Sequence, residues 1–282
     1  MSVVLSSLTA KQIDNYLSQK PHALLLIGSV GSGTTTLLLH IAAKLLDIED
    51  DKVISRPNVL YLSSDKSISI DNIRSIRSFI KLKPTTNMTN RLILIDDADK
   101  MTIEAQNAIL KVLEEPPEGT MILMSTTSPN KLQPTVVSRC YSMRVSVPSK
   151  SALETDGEAR GYKKEEINKA YLTSGGMPGV FYSTLAGDVS ATAESFAVAK
   201  DVLRSQKYQR LIIMQSLSTT SEVSDLLSAL HRIIHLSLRS SADSSQQGRL
   251  IMAYQLVQDC EQAIVSTSPN IKLLTTHLAL GL

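Results

Sequence analysis

Cysteine and aromatic residues are scarce in this sequence. Its 282 residues include two cysteines, Cys140 and Cys260, three phenylalanines and no tryptophan. Two thiols cannot build a disulfide framework or a four-cysteine zinc site, and this composition fits a reducing cytosol. With aromatic residues at 4% of the chain, a platform on which single-stranded nucleic acid stacks its bases is not expected.

Long apolar runs and an excess of one charge are also absent. No run approaches the roughly 18 apolar residues of a membrane-spanning helix, and the first residues lack the basic segment of a signal peptide, so we expect a cytoplasmic protein with no membrane association. Lysine and arginine number 29 against 27 aspartates and glutamates, which leaves a weak overall field. Any DNA contact must therefore be local or shared with partners, which favours a binding or assembly protein or an NTPase.

The first half of the chain alternates short apolar runs with helical patterns, as a parallel α/β sheet with crossover helices requires. The apolar runs predict five strands, at 22–28, 58–62, 91–95, 121–125 and 141–147. Helices are predicted at 35–46 and 71–81. The most sharply defined helix follows the third strand, where Thr102 can cap the first turn and Pro116-Pro117 ends the helix.

From residue 149 onward the pattern is helical. A polar stretch predicts a small lid, and glycines are expected to break its helices at Gly157, Gly161, Gly175, Gly176 and Gly179. Beyond the lid, apolar residues at helical spacing predict an all-helical region with a flexible loop at 240–248. We therefore predict three domains: a nucleotide-fold domain at 1–148, a lid at 149–188 and a helical domain at 189–282.

A glycine-rich segment, GSVGSGTT, lies between the first strand and its helix. It matches the spacing G-x-x-x-x-G-K-[ST] at every position but one, and backbone N–H groups at such a turn can cradle phosphate. The candidate phosphate-binding residues are Gly28, Gly31, Gly33, Thr34 and Thr35. Thr34 occupies the lysine position, and a neutral hydroxyl cannot supply the ammonium that bridges terminal phosphates. Two interpretations stay open: nucleotide binding through the backbone without hydrolysis, or a tight turn with no ligand.

An acidic motif follows the third predicted strand. The segment LILIDD at 92–97 has four apolar strand residues before its carboxylates, the form in which NTPases present an aspartate to Mg²⁺. Asp96 is the candidate metal-binding carboxylate, and Asp97 stands where hydrolysing ATPases usually carry a glutamate that orients water. The alternative is that Asp96, Asp97 and Asp99 are acids of a turn and a helix start, stabilised by the helix dipole.

Three further segments make the sequence similar to a known family. They are DDADKMT at 96–102, AQNAILKVLEEPP at 105–117 and Ser-Arg-Cys at 138–140. Together they resemble the bacterial clamp-loader ATPases of the AAA+ class, which include the delta-prime and gamma/tau subunits of DNA polymerase III. The resemblance runs from about Gln12 to Val147 and is most specific in LEEPP and SRC. It implies a P-loop-type AAA+ sheet with a helical lid and a C-terminal collar that joins a ring of subunits.

The resemblance also implies roles for single residues. Thr127, after the fourth strand, resembles the first-sensor position that reads the γ-phosphate. Arg139 resembles the arginine finger, which in this family reaches across a subunit boundary to ATP held by a neighbour. A guanidinium suits that task because it keeps its charge and spreads it over a planar fork. The alternative for Arg139 is a local salt bridge or a helix-end contact, and Cys140 beside it is expected to be a packed small side chain.

Three departures from the hydrolysing members of the family agree with one another. Thr34 replaces the phosphate-binding lysine, Asp97 replaces the usual glutamate, and Gly179 stands where the second-sensor arginine would be. Arg139, which would serve another chain's ATP, is retained. This asymmetry resembles delta-prime more than gamma/tau. It implies no cofactor requirement, with ATP or ADP and Mg²⁺ left open as ligands of the altered cradle.

No metal centre is expected from the sequence. Many relatives carry a cysteine-rich zinc module between the first helix and the second strand, but the stretch 47–56 has no cysteine. His231 and His235 share a predicted helical face, yet Arg232 takes the glutamate position of the H-E-x-x-H zinc motif. Neither segment therefore predicts a metal site.

Three hypotheses about function follow. The leading one is a non-hydrolysing, delta-prime-like subunit of a sliding-clamp loader that scaffolds the ring and offers Arg139 in trans. Its partners would be gamma/tau-like and delta-like subunits, with the sliding clamp and primed DNA met through the assembled complex in the cytoplasm, at the nucleoid. The alternatives are a catalytically active AAA+ ATPase of gamma/tau or recombination type, and a nucleotide-sensing module unconnected with replication.

Overall fold

A parallel β-sheet lies at the centre of the N-terminal part of the chain. The computed structural model describes residues 3–64, 67–81, 91–187, 191–240, 244–266 and 270–282. The strands in these residues are β1 Ala23–Ile27, β2 Val59–Leu62, β3 Arg91–Ile95, β4 Thr120–Thr126 and β5 Tyr141–Arg144. All pairings are parallel, in the order β2-β3-β4-β1-β5. The predicted five-stranded α/β sheet is confirmed.

Helices flank the sheet and form the remainder of the described chain. Those of the sheet region are α1 Ser7–Gln19, α2 Thr34–Leu46, α3 Ile70–Lys81, α4 Ile103–Glu114 and α5 Pro134–Val137. The later helices are α6 Lys150–Ala159, α7 Lys164–Ser174, α8 Pro178–Leu185, α9 Ala191–Arg204, α10 Lys207–Gln215, α11 Thr220–Ser240, α12 Ser244–Ser266 and α13 Ile271–Gly281. None of the helices in the described ranges is long and apolar enough to cross a membrane.

The sheet is buried on both faces. Successive residues of a strand point to opposite faces, so Leu25 and Ile93 pack in one core with α3 and α4. Leu24 and Leu94 pack in a second core with α1 and α2. A strand covered on both sides needs an uninterrupted apolar sequence, which is why β1 and β3 gave such clear signals.

Helices α1 and α5 and the end of strand β5 differ from the sequence expectation. Helix α1 was not predicted, because few of its residues are apolar, although Ile13 and Tyr16 are fully buried. Strand β5 ends at Arg144 rather than at residue 147. Its only strand neighbour in the described sheet is β1, whose last residue, Ile27, pairs with Arg144. The regular ladder therefore ends where β1 turns into the glycine-rich loop.

The C-terminal part is all helical, as predicted, but two glycines and one loop differ. Gly157 and Gly179 lie inside α6 and α8 instead of breaking them. At Gly157 an added Cβ would lie 3.0 Å from the Ile167 side chain, so this glycine permits close helix packing. Helix α12 begins at Ser244, so most of the loop predicted at 240–248 is wrong, and residues 241–243 lie outside the described residues. The serines and glutamines of this segment continue a helix because glutamine is a good helix former.

The chain divides into two compact units, Met1–Ala152 and Leu153–Leu282. The first contains the whole sheet with α1 to α5. In the second unit, Phe196, Leu230 and Val257 belong to one buried core that joins α9, α11 and α12. The finer division into a lid at 149–188 and a helical domain at 189–282 stays a prediction.

Candidate functional site

The sequence-predicted motifs meet at the carboxyl edge of the sheet. Ile27 of β1 pairs with Thr126 of β4, and Ile95 of β3 pairs with Met124. The Gly28 N–H donates to the Thr126 carbonyl oxygen at 3.1 Å. The glycine-rich loop and the residues that follow β3 and β4 are therefore neighbours. In parallel α/β sheets this edge is where ligands bind.

The glycine-rich loop needs its glycines for two different reasons. Gly31 and Gly33 have φ of +80°, a left-handed conformation that side chains disfavour. Gly28 is in tight contact with its neighbours: an added Cβ would lie 2.4 Å from Thr34 Cγ2 and 2.5 Å from Ser32 Oγ. The loop then leads directly into α2, whose N-cap Gly33 provides no side-chain cap. The first N–H groups of α2 thus lack a side-chain cap from Gly33, an arrangement that in general suits an anion.

The donors in this loop fit a phosphate group, but a cation is missing. The Ser32 hydroxyl is buried and has no hydrogen-bond partner in the part of the chain that the structure describes. A phosphate oxygen would accept a hydrogen bond from this hydroxyl and from the backbone N–H groups of the loop. Thr34, at the lysine position, is buried as the first residue of α2. A phosphate at this position would meet neutral donors only, because a threonine stands at position 34.

Asp96 lies at the centre of a hydroxyl network beside the cradle. Its Oδ1 accepts from Thr35 Oγ1 at 3.1 Å and also from Ser125 Oγ, and its Oδ2 accepts from the Tyr61 hydroxyl at 3.1 Å. The carboxylate is almost fully buried. Burial, and then the nearby Asp96 charge, raise the pKa of Tyr61, which keeps that hydroxyl a donor. Thr35 and Asp96 are the oxygen ligands that would hold Mg²⁺ here.

Asp97 joins that network through its backbone, while its carboxylate makes an ion pair elsewhere. Its φ is +51°, and it caps a short 3₁₀ turn at Ala98–Lys100. Its Oδ2 lies 2.9 Å from Lys100 Nζ, which also donates to the Ser64 carbonyl at 3.0 Å. The Asp97 N–H donates to Ser125 Oγ at 3.0 Å. The carboxylate at the water-orienting position is thus engaged in an ion pair.

Asp99 fixes the segment that contains the predicted first sensor. Its Oδ1 accepts from Thr126 Oγ1 at 2.7 Å and from the Thr127 N–H at 3.1 Å. Thr126 Oγ1 in turn accepts from the Ser128 N–H at 3.1 Å. Thr127 is therefore held at the same edge as the glycine-rich loop and Asp96. The carboxylate of Asp99, in the short turn Ala98–Lys100, supplies this support.

Gln106 is a structural residue that the sequence interpretation missed. It is buried on α4, where its Nε2 donates to the Met101 and Lys131 carbonyls at 3.1 and 3.2 Å. Its Oε1 accepts from the Gln133 N–H at 2.7 Å. The amide thus joins α4 to the loop that leads into α5. The available signal was a polar residue next to the apolar face of an amphipathic helix.

Arg139 follows α5 and makes two local contacts. Its Nη2 lies 2.6 Å from Glu114 Oε1, and its Nη1 donates to the Thr135 carbonyl at 2.9 Å. The arginine side chain is 35% exposed and that of Glu114 is 49% exposed. The local salt bridge named as the alternative is therefore present. A guanidinium has five N–H donors, so these two contacts leave others for an external acceptor.

Cys140 is a packed thiol and not a nucleophile. Its Sγ donates to the Val136 carbonyl at 3.2 Å, and burial raises its pKa to about 12. Because the thiolate is the reactive form, we expect labelling by a thiol reagent at pH 8 to be about 10³-fold slower than for an ordinary exposed cysteine. Mass spectrometry of time-resolved alkylation would distinguish Cys140 from Cys260. In urea, the slow labelling of Cys140 should disappear. Fast labelling of Cys140 in the native chain would contradict the prediction.

His231, one of the two histidines of the predicted helical face, lies on α11 and contacts two residues of α12. Within the described ranges, no group of three or more His, Cys, Asp or Glu side chains could hold a metal ion. His231 Nδ1 lies 3.1 Å from Glu261 Oε2, and its ring packs edge-on against Tyr254. The side chain of His235 lies outside the described residues.

These elements define the class of protein. A parallel sheet of order β2-β3-β4-β1-β5, with a glycine-rich loop after β1, acids after β3 and a polar segment after β4, is a P-loop-type nucleotide fold of the AAA+ class. A sequence profile of the family described as "DNA polymerase III, delta subunit" matches residues 6–149. The chain belongs to this family of clamp-loader AAA+ proteins.

Individual relatives agree with this assignment. The replication factor C small subunit of Methanococcus maripaludis is 33% identical over 179 residues, which cover 61% of this chain and 52% of the relative. The DNA polymerase III subunit delta' of Pseudomonas aeruginosa is 30% identical over 182 residues, which cover 57% and 55%. The chain thus matches about half the length of these curated relatives.

A solved structure supports the fold over nearly the whole chain. A DNA polymerase III gamma subunit-related protein of Thermotoga maritima aligns with 95% of this chain and 97% of its own, with a TM-score of 0.53 and 19% identity. The likeness concerns the fold alone.

Proposed function

We propose that this chain is a non-hydrolysing, delta-prime-like subunit of the DNA polymerase III sliding-clamp loader. In this role it scaffolds the ring and offers Arg139 to ATP bound by a neighbouring subunit. The observation that carries the proposal is an asymmetry within the N-terminal unit. The chain's own cradle lacks a cation at Thr34, whereas a guanidinium stands at Arg139, whose side chain is 35% exposed.

The chain's own cradle is unsuited to hydrolysis for two reasons. An ammonium at position 34 would contribute a charge-assisted hydrogen bond of about 1.5–3 kcal/mol before any effect on the transition state, and Thr34 cannot replace it. Asp97, the candidate water-orienting acid, is paired with Lys100 at 2.9 Å. Gly179, where the family places a second cation, adds no charge. These features favour a chain that does not turn over ATP.

The cradle still suits a structural nucleotide. Ser32 has an unpartnered buried hydroxyl, and Thr35 lies beside Asp96 as a magnesium-binding pair would. ATP or ADP bound in this way would stabilise the first unit by mass action. The proposed role requires no such cofactor, because the hydrolysed ATP belongs to the neighbouring chain.

The proposed partners follow from family membership. Relatives that match over about half of their own length are named DNA polymerase III delta' and replication factor C small subunit. We therefore assign this chain to a complex with gamma/tau-like and delta-like subunits in the cytoplasm. The sliding clamp and primed DNA would be met by the assembled ring, since the net charge of +2 gives this chain little attraction for DNA by itself.

Assembly and ATP turnover test the proposal together. The purified chain is mixed with the gamma/tau-like and delta-like subunits of its source, and complexes are separated by size-exclusion chromatography. We expect a stable complex, and no ATP hydrolysis by the isolated chain above a no-protein control. The gamma/tau-like subunit measured alongside serves as the positive control.

Each other outcome of this experiment has a definite meaning. Steady ATP hydrolysis by the isolated chain would refute the non-hydrolysing role and support the active-ATPase alternative. Failure to enter a complex that the other subunits form with a known delta-prime chain would favour a nucleotide-sensing module.

A further inference from the structure

The geometry points to Glu114 as a positioning residue for Arg139. The inference rests on the proposed function, because it concerns how the guanidinium is held before it meets a neighbour's ATP. Glu114 closes α4, and Arg139 follows α5. Their ion pair, at 2.6 Å, joins the LEEPP segment to the SRC segment.

Local helix energetics do not account for a carboxylate at position 114. The C-terminus of a helix carries partial negative charge, so an anion in its last turn is unfavourable. Helix α4 ends at Glu114, shortly before Pro116. Pairing with Arg139 offsets the unfavourable charge. Glu115, the next residue, is exposed and makes no ion pair within the described part of the chain.

Two contacts hold the Arg139 guanidinium in place and leave its other N–H donors unused among the residues that the structure describes. Nη2 is held by the Glu114 carboxylate and Nη1 by the Thr135 carbonyl of α5. A planar group held at both terminal nitrogens loses most of its rotamer freedom, and donors beyond these two contacts stay available to a phosphate oxygen. Such pre-organisation favours a reaction because the donor is in place before the transition state forms.

The support for this arrangement extends into the core. Gln106 of α4 holds the Gln133 N–H at 2.7 Å, immediately before α5 begins at Pro134. Val136 of α5 is fully buried. Helices α4 and α5 are therefore fixed relative to each other within the first unit. The Glu114 carboxylate, which pairs with Arg139, thus has a defined position.

Kinetics of the reconstituted clamp loader test the inference. We compare wild type with Glu114→Gln, Glu115→Gln, Arg139→Ala and the double variant Glu114→Gln, Arg139→Ala. Single-turnover ATP hydrolysis resolves a slowed site as a separate phase. We expect Glu114→Gln to lower the rate at one site about tenfold, as loss of a supporting partner does at metal centres, with the KM for ATP unchanged. Glu115→Gln should match wild type.

The double variant separates positioning from a general structural effect. If Glu114 acts only through Arg139, the double variant should equal Arg139→Ala. Glu114→Asp, which keeps the carboxylate, should recover part of the lost rate. Additive losses, a wild-type rate in Glu114→Gln, or faster hydrolysis in that variant would each overturn the inference. An unaffected Arg139→Ala complex would instead refute the proposed function itself.

Discussion

Replacing Arg139 by alanine is expected to slow ATP hydrolysis at one site of the reconstituted clamp loader by about 10³-fold or more, the range reported for arginine fingers. The physical reason is that phosphoryl transfer develops charge on the γ-phosphate oxygens, which a guanidinium stabilises from a fixed position. Removal of the side chain should leave the fold intact. Its ion pair with Glu114 is partly exposed, and such pairs contribute about 0–1 kcal/mol.

Three further variants define the origin of that loss. Arg139→Lys keeps the charge but not the planar fork, so it should recover only a small part of the rate. Arg144→Ala removes an exposed arginine of the nearby strand β5 and should leave hydrolysis unchanged. Thr34→Ala alters only the chain's own cradle and is expected to have little effect. Wild-type turnover by the Arg139→Ala complex, at full subunit stoichiometry, would contradict the trans role.

Asp96→Ala should destabilise the first unit by about 3 kcal/mol. The substitution removes the acceptor of hydroxyl groups from Thr35, Tyr61 and Ser125. A buried donor left without a partner costs about 1–3 kcal/mol, and hydrogen bonds to a charged acceptor lie in the upper part of their range. Hydrogen exchange of the β1, β3 and β4 amides measures the free energy of opening for this unit alone.

Tyr61→Phe provides the matched control for that substitution. It deletes one donor and keeps the ring, so a loss of about 1 kcal/mol is expected. The loss of stability in Asp96→Asn should lie between those of Asp96→Ala and Tyr61→Phe, because one side-chain oxygen remains as an acceptor. A loss below about 0.5 kcal/mol in Asp96→Ala would mean that water already satisfies these hydroxyls. The network would then have no structural role, and Asp96 would be available to a metal alone.

The two predictions concern two separate groups of side chains in the first unit. Asp96 and its hydroxyl partners form a hydrogen-bond network at the edge of the sheet. Arg139, just after α5, is held by the Glu114 carboxylate and the Thr135 carbonyl, and within the described residues it makes no hydrogen bond or ion pair with that network. A substitution in the chain's own cradle is therefore expected to leave the surroundings of Arg139 unchanged.

Much of the fold was predictable because its signals are local. Strands β1 and β3 are continuous apolar runs, and α4 combines an apolar stripe with a Thr102 cap that accepts from the Ala105 N–H. The glycine-rich loop was recognisable from spacing, and the structure shows why its glycines are required. The loop predicted at 240–248 failed because serine and glutamine are compatible with both a loop and a helix.

The partners of the functional residues were not predictable in the same way. The sequence positions of Tyr61 and Asp96 do not indicate that their side chains are in contact. The same is true of Glu114 and Arg139. Lys100 and Asp97 are close along the chain, yet their ion pair depends on the left-handed conformation at Asp97. These contacts arise only when the strand order and the packing of α4 against α5 are set.

The amino-acid sequence alone determined the sheet class, the glycine-rich loop, the missing cation at Thr34 and the family to which the Ser-Arg-Cys segment points, because each depends on residues close together in the chain. Tertiary structure decided which side chains surround Asp96, what engages Asp97 and which carboxylate holds Arg139. Those pairings join segments that are distant in sequence, and a local pattern carries no information about the distance between two side chains until the core between them is packed.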